Sequence, residues 1–146
     1  MGARLVAVVG LAALSLAGCS VKTFAVNKLG DTLSAPGPSV YTTDDDPELI
    51  KAALPFSLKT LESLLQASPK HKGMLLTACS GFTSYANAFV QLDAEAIEST
   101  NYEESERLKG RARRLYLRGR DYCMRRMALR RPGMRDALAK DPATAL

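Results

Sequence analysis

The chain has 146 residues, 47% hydrophobic and 24% charged, with no tryptophan and a formal net charge of +5. This is the composition of an ordinary globular protein, with enough apolar residues for one modest packed domain. A single histidine in the whole chain argues against histidine-based catalysis and against a histidine-rich metal site. The charge is uneven: most arginines follow Arg107, whereas acidic residues gather at Asp44–Asp46 and between Asp93 and Glu106.

Arg4 precedes an apolar run from Leu5 to Leu14, which Leu16, Ala17, Gly18 and Cys19 close. A basic start, an apolar middle and small residues before a cut site read as a secretory signal peptide over residues 1–18. The run is shorter than the ~20 apolar residues that span a bilayer. Cysteine directly after Ala17-Gly18 is the bacterial lipobox pattern, which makes Cys19 the expected lipid attachment site. Two or more acyl chains, palmitate among them, would hold the chain stably on a membrane. Ser20 follows where some bacteria place the Asp that retains lipoproteins in the inner membrane, so the outer membrane, facing the periplasm, is expected. Export also implies an oxidising compartment.

Residues 19–43 read as a lipidated tether and loop. Val21, Phe24, Val26 and Leu29 suggest a short element packed under the domain, and the prolines at 36 and 38 break regular structure. Residues 44–146 read as an α-helical domain. Asp46 suits a helix N-cap, Pro47 the first helical position and Glu48 the positive end of the dipole. A calcium-binding role for Asp44–Asp46 lacks the ligand spacing of a cation loop. Ile50, Leu54, Leu58, Leu61 and Leu65 then recur at helical spacing to about residue 67, with Pro55 expected to kink the helix. After a turn at Ser68–His71, where His71 is expected to be solvated or carbonyl-bonded, a second helix runs to about Glu98. Its seam is Leu75, Ala78, Phe82, Tyr85, Phe89, Leu92 and Ala96. Small residues among Gly73, Ala78, Ser80, Gly81 and Ala86 permit either a close helix neighbour or a ligand. A third helix from Tyr102 to Leu129 carries acids first and arginines last, as the macrodipole favours. Leu108, Leu115, Tyr122 and Leu129 form its seam, with Ala112 and Gly119 on the same side. Pro132-Gly133 stops it, and a short helix from Met134 to Lys140 follows. The residues from Asp141 to Leu146 read as the entry to a further helix. The predicted helices leave large apolar faces, so the chain is expected to be a shortened copy of something longer or to complete its fold with a partner.

Cys79 and Cys123 fall at similar heights in an antiparallel hairpin. Height satisfies only part of disulfide geometry, and both neighbour seam residues, so two unpaired buried thiols are the favoured reading. The arginines of the third helix form a basic stripe that is expected to be a solvated face, partly paired with Glu103, Glu104, Glu106 and Asp121. An acidic partner or lipid headgroups is the sharper alternative. Export and the lack of outward aromatic interleaving argue against nucleic acid. No nucleophile with a base, phosphate-cradling loop or metal spacing occurs, so neither enzyme activity nor a cofactor is expected.

Taken in order, Leu16–Cys19, Ala25–Gly30, Asp44–Leu49, Ala53–Phe56, Ser80–Thr83, Arg113–Arg118 and Arg120–Tyr122 are recognisable together. In these stretches the chain resembles the TatT component family of TRAP transporters, periplasmic lipoproteins built from TPR-like helical hairpins. The resemblance implies an all-α fold of antiparallel helical hairpins, here an incomplete TPR-like array because family members continue through further helices. It implies an accessory lipoprotein that works with a periplasmic solute-binding protein and its small, organic-acid or hydrophobic, ligand. It also implies homo-oligomers, trimers in particular, with a cavity through each subunit. Phe82, Tyr85 and Phe89 could line such a cavity, although core packing is the favoured role. A structural cell-envelope lipoprotein with a helical protein-interaction domain is the alternative.

Overall fold

The computed structural model describes residues 21–37 and 39–145, so the leader and Cys19 lie outside the described residues. Among the described residues the fold is all-α, without strands. Helix α1 covers 21–33, α2 is Val40–Thr43, α3 Pro47–Ala67 and α4 Lys72–Ala86. A π turn, Asn87–Gln91, joins α4 to α5, Leu92–Ile97. The long α6, Tyr102–Ala128, then returns, followed by α7, Met134–Lys140, and α8, Pro142–Ala145. No helix of the described residues is long and apolar enough to cross a membrane.

Side-chain caps set the starts, that of Asp46 as expected. Asp46 Oδ1 accepts from the Leu49 amide at 2.9 Å, and Asn101 Oδ1 from the Glu104 amide at 3.2 Å. Each satisfies one of the backbone donors that a helix start leaves without a partner. Helix α3 continues through Pro55, whose missing N–H leaves the Lys51 carbonyl without its helical donor.

Helix α4 is central, with α3 against one side and α6 against another. The α3 and α4 pair is an antiparallel hairpin, and so is the α4–α5 rod with α6. Two glycines set these crossings. A Cβ on Gly81 would stand 2.7 Å from Leu58 Cδ2, and one on Gly119 would stand 3.0 Å from the Cys79 carbonyl oxygen. Around them Leu58, Leu61 and Leu65 of α3 pack with Met74, Leu75, Ala78 and Phe82 of α4 in one core. Ala112 of α6 belongs to that core, and the seam residues Leu108, Leu115, Tyr122 and Leu129 lie partly buried against it.

Three expectations from sequence need correction. The second helix does not keep one phase: the π turn inserts an extra residue, so burial passes from Tyr85 to Ala86, Val90 and Ala94 rather than to Leu92 and Ala96. Leu92 is exposed as a result. Next, Cys79 and Cys123 are not unpaired thiols but a disulfide, with Cα atoms 5.0 Å apart. The close approach at Gly119, one turn before Cys123, brings the two backbones within the separation that a disulfide needs. Finally, the short element expected from Val21, Phe24, Val26 and Leu29 is a helix, but of these four Val26 packs against the core while Val21, Phe24 and Leu29 are exposed. Only the inner side of α1 packs, where Gly30 approaches Met74 at a distance a Cβ would violate and Val26 meets the core. Asn27 accepts from the Ser68 hydroxyl at 2.6 Å, and its carbonyl lies 3.2 Å from His71 Nε2. The chain breaks after α1 as the prolines predict.

Candidate functional site

Between α3 and α4, on the side away from α6, lies a groove of about 480 Å³. Its floor is apolar: Ile50, Leu54, Leu58 and Leu61 from α3, and Phe89 from the π turn. Along its walls run the hydroxyls of Ser57, Thr60, Thr77, Ser80 and Ser84, with Gly81 and Ala88 between them. Small residues at 77, 80, 81 and 84 of α4, and at 88 in the π turn, recur at helical spacing, which keeps this face low and opens the space. Helix α2 edges the groove through Ser39, Tyr41 and Thr42, and the Tyr41 hydroxyl hydrogen-bonds to that of Ser57. Leu33 at the end of α1 and the exposed ring of Phe56 complete the rim. Among the described residues no charged side chain lines it. The volume falls within the ordinary range of small-molecule pockets, about 300–1,000 Å³. An ion entering would lose hydration without gaining a counter-charge, which is costly. The groove therefore suits an uncharged, largely apolar group that offers one or two hydrogen bonds.

Across the hairpin, where α3 faces α6, the chemistry is the opposite. Glu62 is buried, and its two carboxylate oxygens accept from the Arg118 guanidinium at 2.5 and 2.6 Å. Lys59 donates to it at 2.7 Å and the Tyr122 hydroxyl at 2.7 Å. Burial pushes the Glu62 carboxyl up, but the hydrogen bonds from Lys59, Tyr122 and Arg118 outweigh it and hold the group below the usual glutamate value. Burial and donation to Glu62 hold the Tyr122 phenol above its usual value. This cluster fastens α3 to α6 with satisfied groups; it is a clasp.

The basic stripe divides in the same way. Arg107 pairs with Glu104, Lys109 with Glu106 and Glu98, and Arg120 with Asp121. Others fold back over the aromatic seam: Arg118 lies 4.9 Å from the Phe82 ring centre, Arg125 5.2 Å from that of Tyr122, and Arg111 5.8 Å from that of Tyr85. The stripe is thus an exposed face partly paired along its own helix, as expected, with Glu62 and Glu98 as further partners that the sequence pattern did not reveal.

The residues singled out from sequence separate cleanly. Phe82 and Tyr85 sit in the core, whereas Phe89 reaches the groove. His71 caps α4, its Nδ1 accepting from the Met74 amide at 3.2 Å while Nε2 faces the Asn27 carbonyl and Asp31. It is carbonyl-bonded as expected. Asp44 and Asp46 spend carboxylate oxygens on the amides of Asp46 and Leu49. Cys19 lies outside the described residues.

Comparison with known proteins places this architecture. Residues 43–146 match the family model of TAtT, the TRAP transporter T-component. An uncharacterised protein of Treponema pallidum (strain Nichols) is 36% identical over 134 residues, covering 82% of this chain and 41% of that protein. The chain therefore spans about two-fifths of that relative's length. The match takes in the whole helical region from α3 onward and more than half of the chain: the chain belongs to the TRAP transporter T-component family.

Proposed function

We propose that the chain is a lipid-anchored accessory component of a TRAP-type transport system, holding an apolar, uncharged portion of a small ligand in the groove between α3 and α4. The groove carries this reading: it is open, of ligand size, floored by aliphatic side chains and free of charge. Family membership supports a transport role without chemistry of its own. The lipobox at Cys19 supports attachment to a membrane, and Ser20 after it favours the outer membrane, with the helices facing the periplasm. In this arrangement the partner is the periplasmic solute-binding protein of the same system, which passes ligand to or from the groove. Exposed apolar residues at the rim, Phe56 above all, form the surface where it docks, and a homotrimer with a TPR-like array extends that surface.

Isothermal titration of the chain with the solute-binding protein of its own TRAP system tests the partnership. Saturable binding that weakens about tenfold in Phe56→Ala, a loss of roughly 1.4 kcal/mol, is expected. No heat of binding at any ratio, with both proteins folded, would overturn it.

A further inference from the structure

Helix α1 has two faces with different occupants. Val26, Asn27 and Gly30 turn inward to the α3–α4 connection. The opposite side exposes Val21, Phe24 and Leu29, each about half exposed or more. At 100° per residue, Val21, Ala25 and Leu29 fall in one arc of about 80°, and with Phe24, about 60° beyond Val21, the face spans about 140°. Lys22 and Lys28 lie exposed on the same hemisphere, and Lys28 Nζ stands 5.8 Å from the Phe24 ring centre. Asp31, the acidic residue of α1, faces His71 instead. An exposed apolar face with one lysine at its edge, Lys22, and one within it beside Phe24, Lys28, is a pattern that suits a membrane interface: rings and aliphatic chains enter the headgroup boundary, and ammonium groups reach up to anionic phosphates. In sequence this strip begins two residues after Cys19.

We propose that α1 is an interfacial helix whose Val21–Phe24–Leu29 face rests in an anionic phospholipid surface, so that the protein stands on its anchor leaflet in a fixed orientation. This rests on the lipid-anchor reading of Cys19. It adds that the first helix is itself a membrane contact rather than a spacer. Because Leu33 at the end of α1 also lines the groove, the groove mouth then opens close to the bilayer, where an apolar ligand is concentrated.

The chain contains no tryptophan, so Phe24→Trp introduces a sole indole reporter at an exposed site. Cys79 and Cys123 are paired, which leaves Cys19 as the thiol for coupling to a maleimide lipid in phosphatidylcholine–phosphatidylglycerol vesicles. Tyr102→Trp is the control. That position lies at the far end of the α4–α5 rod from α1, about 40 Å away at 1.5 Å per residue. In Phe24→Trp the proposal expects indole emission to move to shorter wavelength on the vesicles and to be quenched by brominated acyl chains. Both effects should shrink when Lys22→Glu and Lys28→Glu are added. In Tyr102→Trp the emission should stay aqueous. An unshifted, unquenched indole in Phe24→Trp on coupled vesicles would overturn the proposal, as would equal shifts in the two variants. Coupling bypasses native acylation, which is read separately from the mass of the Cys19 peptide in cells. A failed anchor and a failed α1 contact are therefore told apart.

Discussion

Glu62 shows how one residue joins two helices. Its carboxylate holds Arg118, Tyr122 and Lys59 at once, so a carboxamide in its place removes the charge and turns one of the two accepting oxygens into a donor. Glu62→Gln should cost about 1–3 kcal/mol at pH 7, as hydrogen bonds to charged groups typically do, measured by chemical denaturation. The pH dependence has a definite sign. Because the folded carboxyl is held below its usual value, its contribution is complete above the unfolded value of about 4.3 and is lost as pH falls through the folded one. The stability gap between wild type and Glu62→Gln should therefore close below about pH 4. A gap unchanged at about pH 3 would show that the clasp is not electrostatic.

Glycines make a second residue-scale test. At Gly119 a Cβ would press on Thr83 Oγ1 and on the Cys79 backbone, and backbone cannot move aside cheaply. Gly119→Ala should destabilise by about 1–3 kcal/mol despite its better helix propensity. Gly110 has only the Arg114 guanidinium nearby, at 3.7 Å, so Gly110→Ala should stabilise by up to about 1 kcal/mol. Urea titrations of the two variants should move in opposite directions.

At the scale of elements, periodicity carried the sequence far. Asp46-Pro47 marked the start of α3, and the 108–115–122–129 seam lies partly buried against the core as spaced. The π turn was not legible, because a single extra residue leaves no composition signal. Its only trace is that Val90 and Ala94, rather than Leu92 and Ala96, are buried. The disulfide was half legible. Equal heights on antiparallel helices followed from the loop at residue 100, but the 5.0 Å Cα separation depends on how closely Gly119 lets α6 approach. Helix α1 was underestimated because its exposed apolar face masks the amphipathic pattern of a core-facing helix. The groove was visible only as small residues on α4, and nothing in the spacing distinguished a space for a ligand from a space for a helix.

The disulfide closes a loop of 44 residues, and a cross-link of that length is worth about 4 kcal/mol in the chain-entropy account. Cys79→Ser/Cys123→Ser should lower stability by about 2–4 kcal/mol and sensitise the α4–α6 hairpin to proteolysis. The same urea midpoint in reduced and oxidised wild-type protein would contradict a stabilising staple.

At the scale of the molecule, two interfaces of one hairpin do different work. The α3–α6 side is polar, ion-paired and closed by Glu62. The α3–α4 side away from α6 is apolar, open and uncharged, and the T-component family to which the chain belongs gives that opening a context in transport. Under the proposed function, selectivity follows from the lining. A neutral chain gains burial against Leu54, Leu58 and Phe89, whereas a carboxylate of equal length meets hydroxyls and no cation.

The most direct test of the groove is an equilibrium titration with the neutral fluorophore N-phenyl-1-naphthylamine, followed by displacement with decanol or decanoate. Ser84→Phe, an exposed position on the groove wall, fills the space without touching the core. The account predicts saturable binding, displacement by decanol at concentrations about tenfold below those of decanoate, and a loss of at least about tenfold in Ser84→Phe, each about 1.4 kcal/mol. Equal displacement by the acid, or undiminished binding in Ser84→Phe, would contradict the groove as the ligand site.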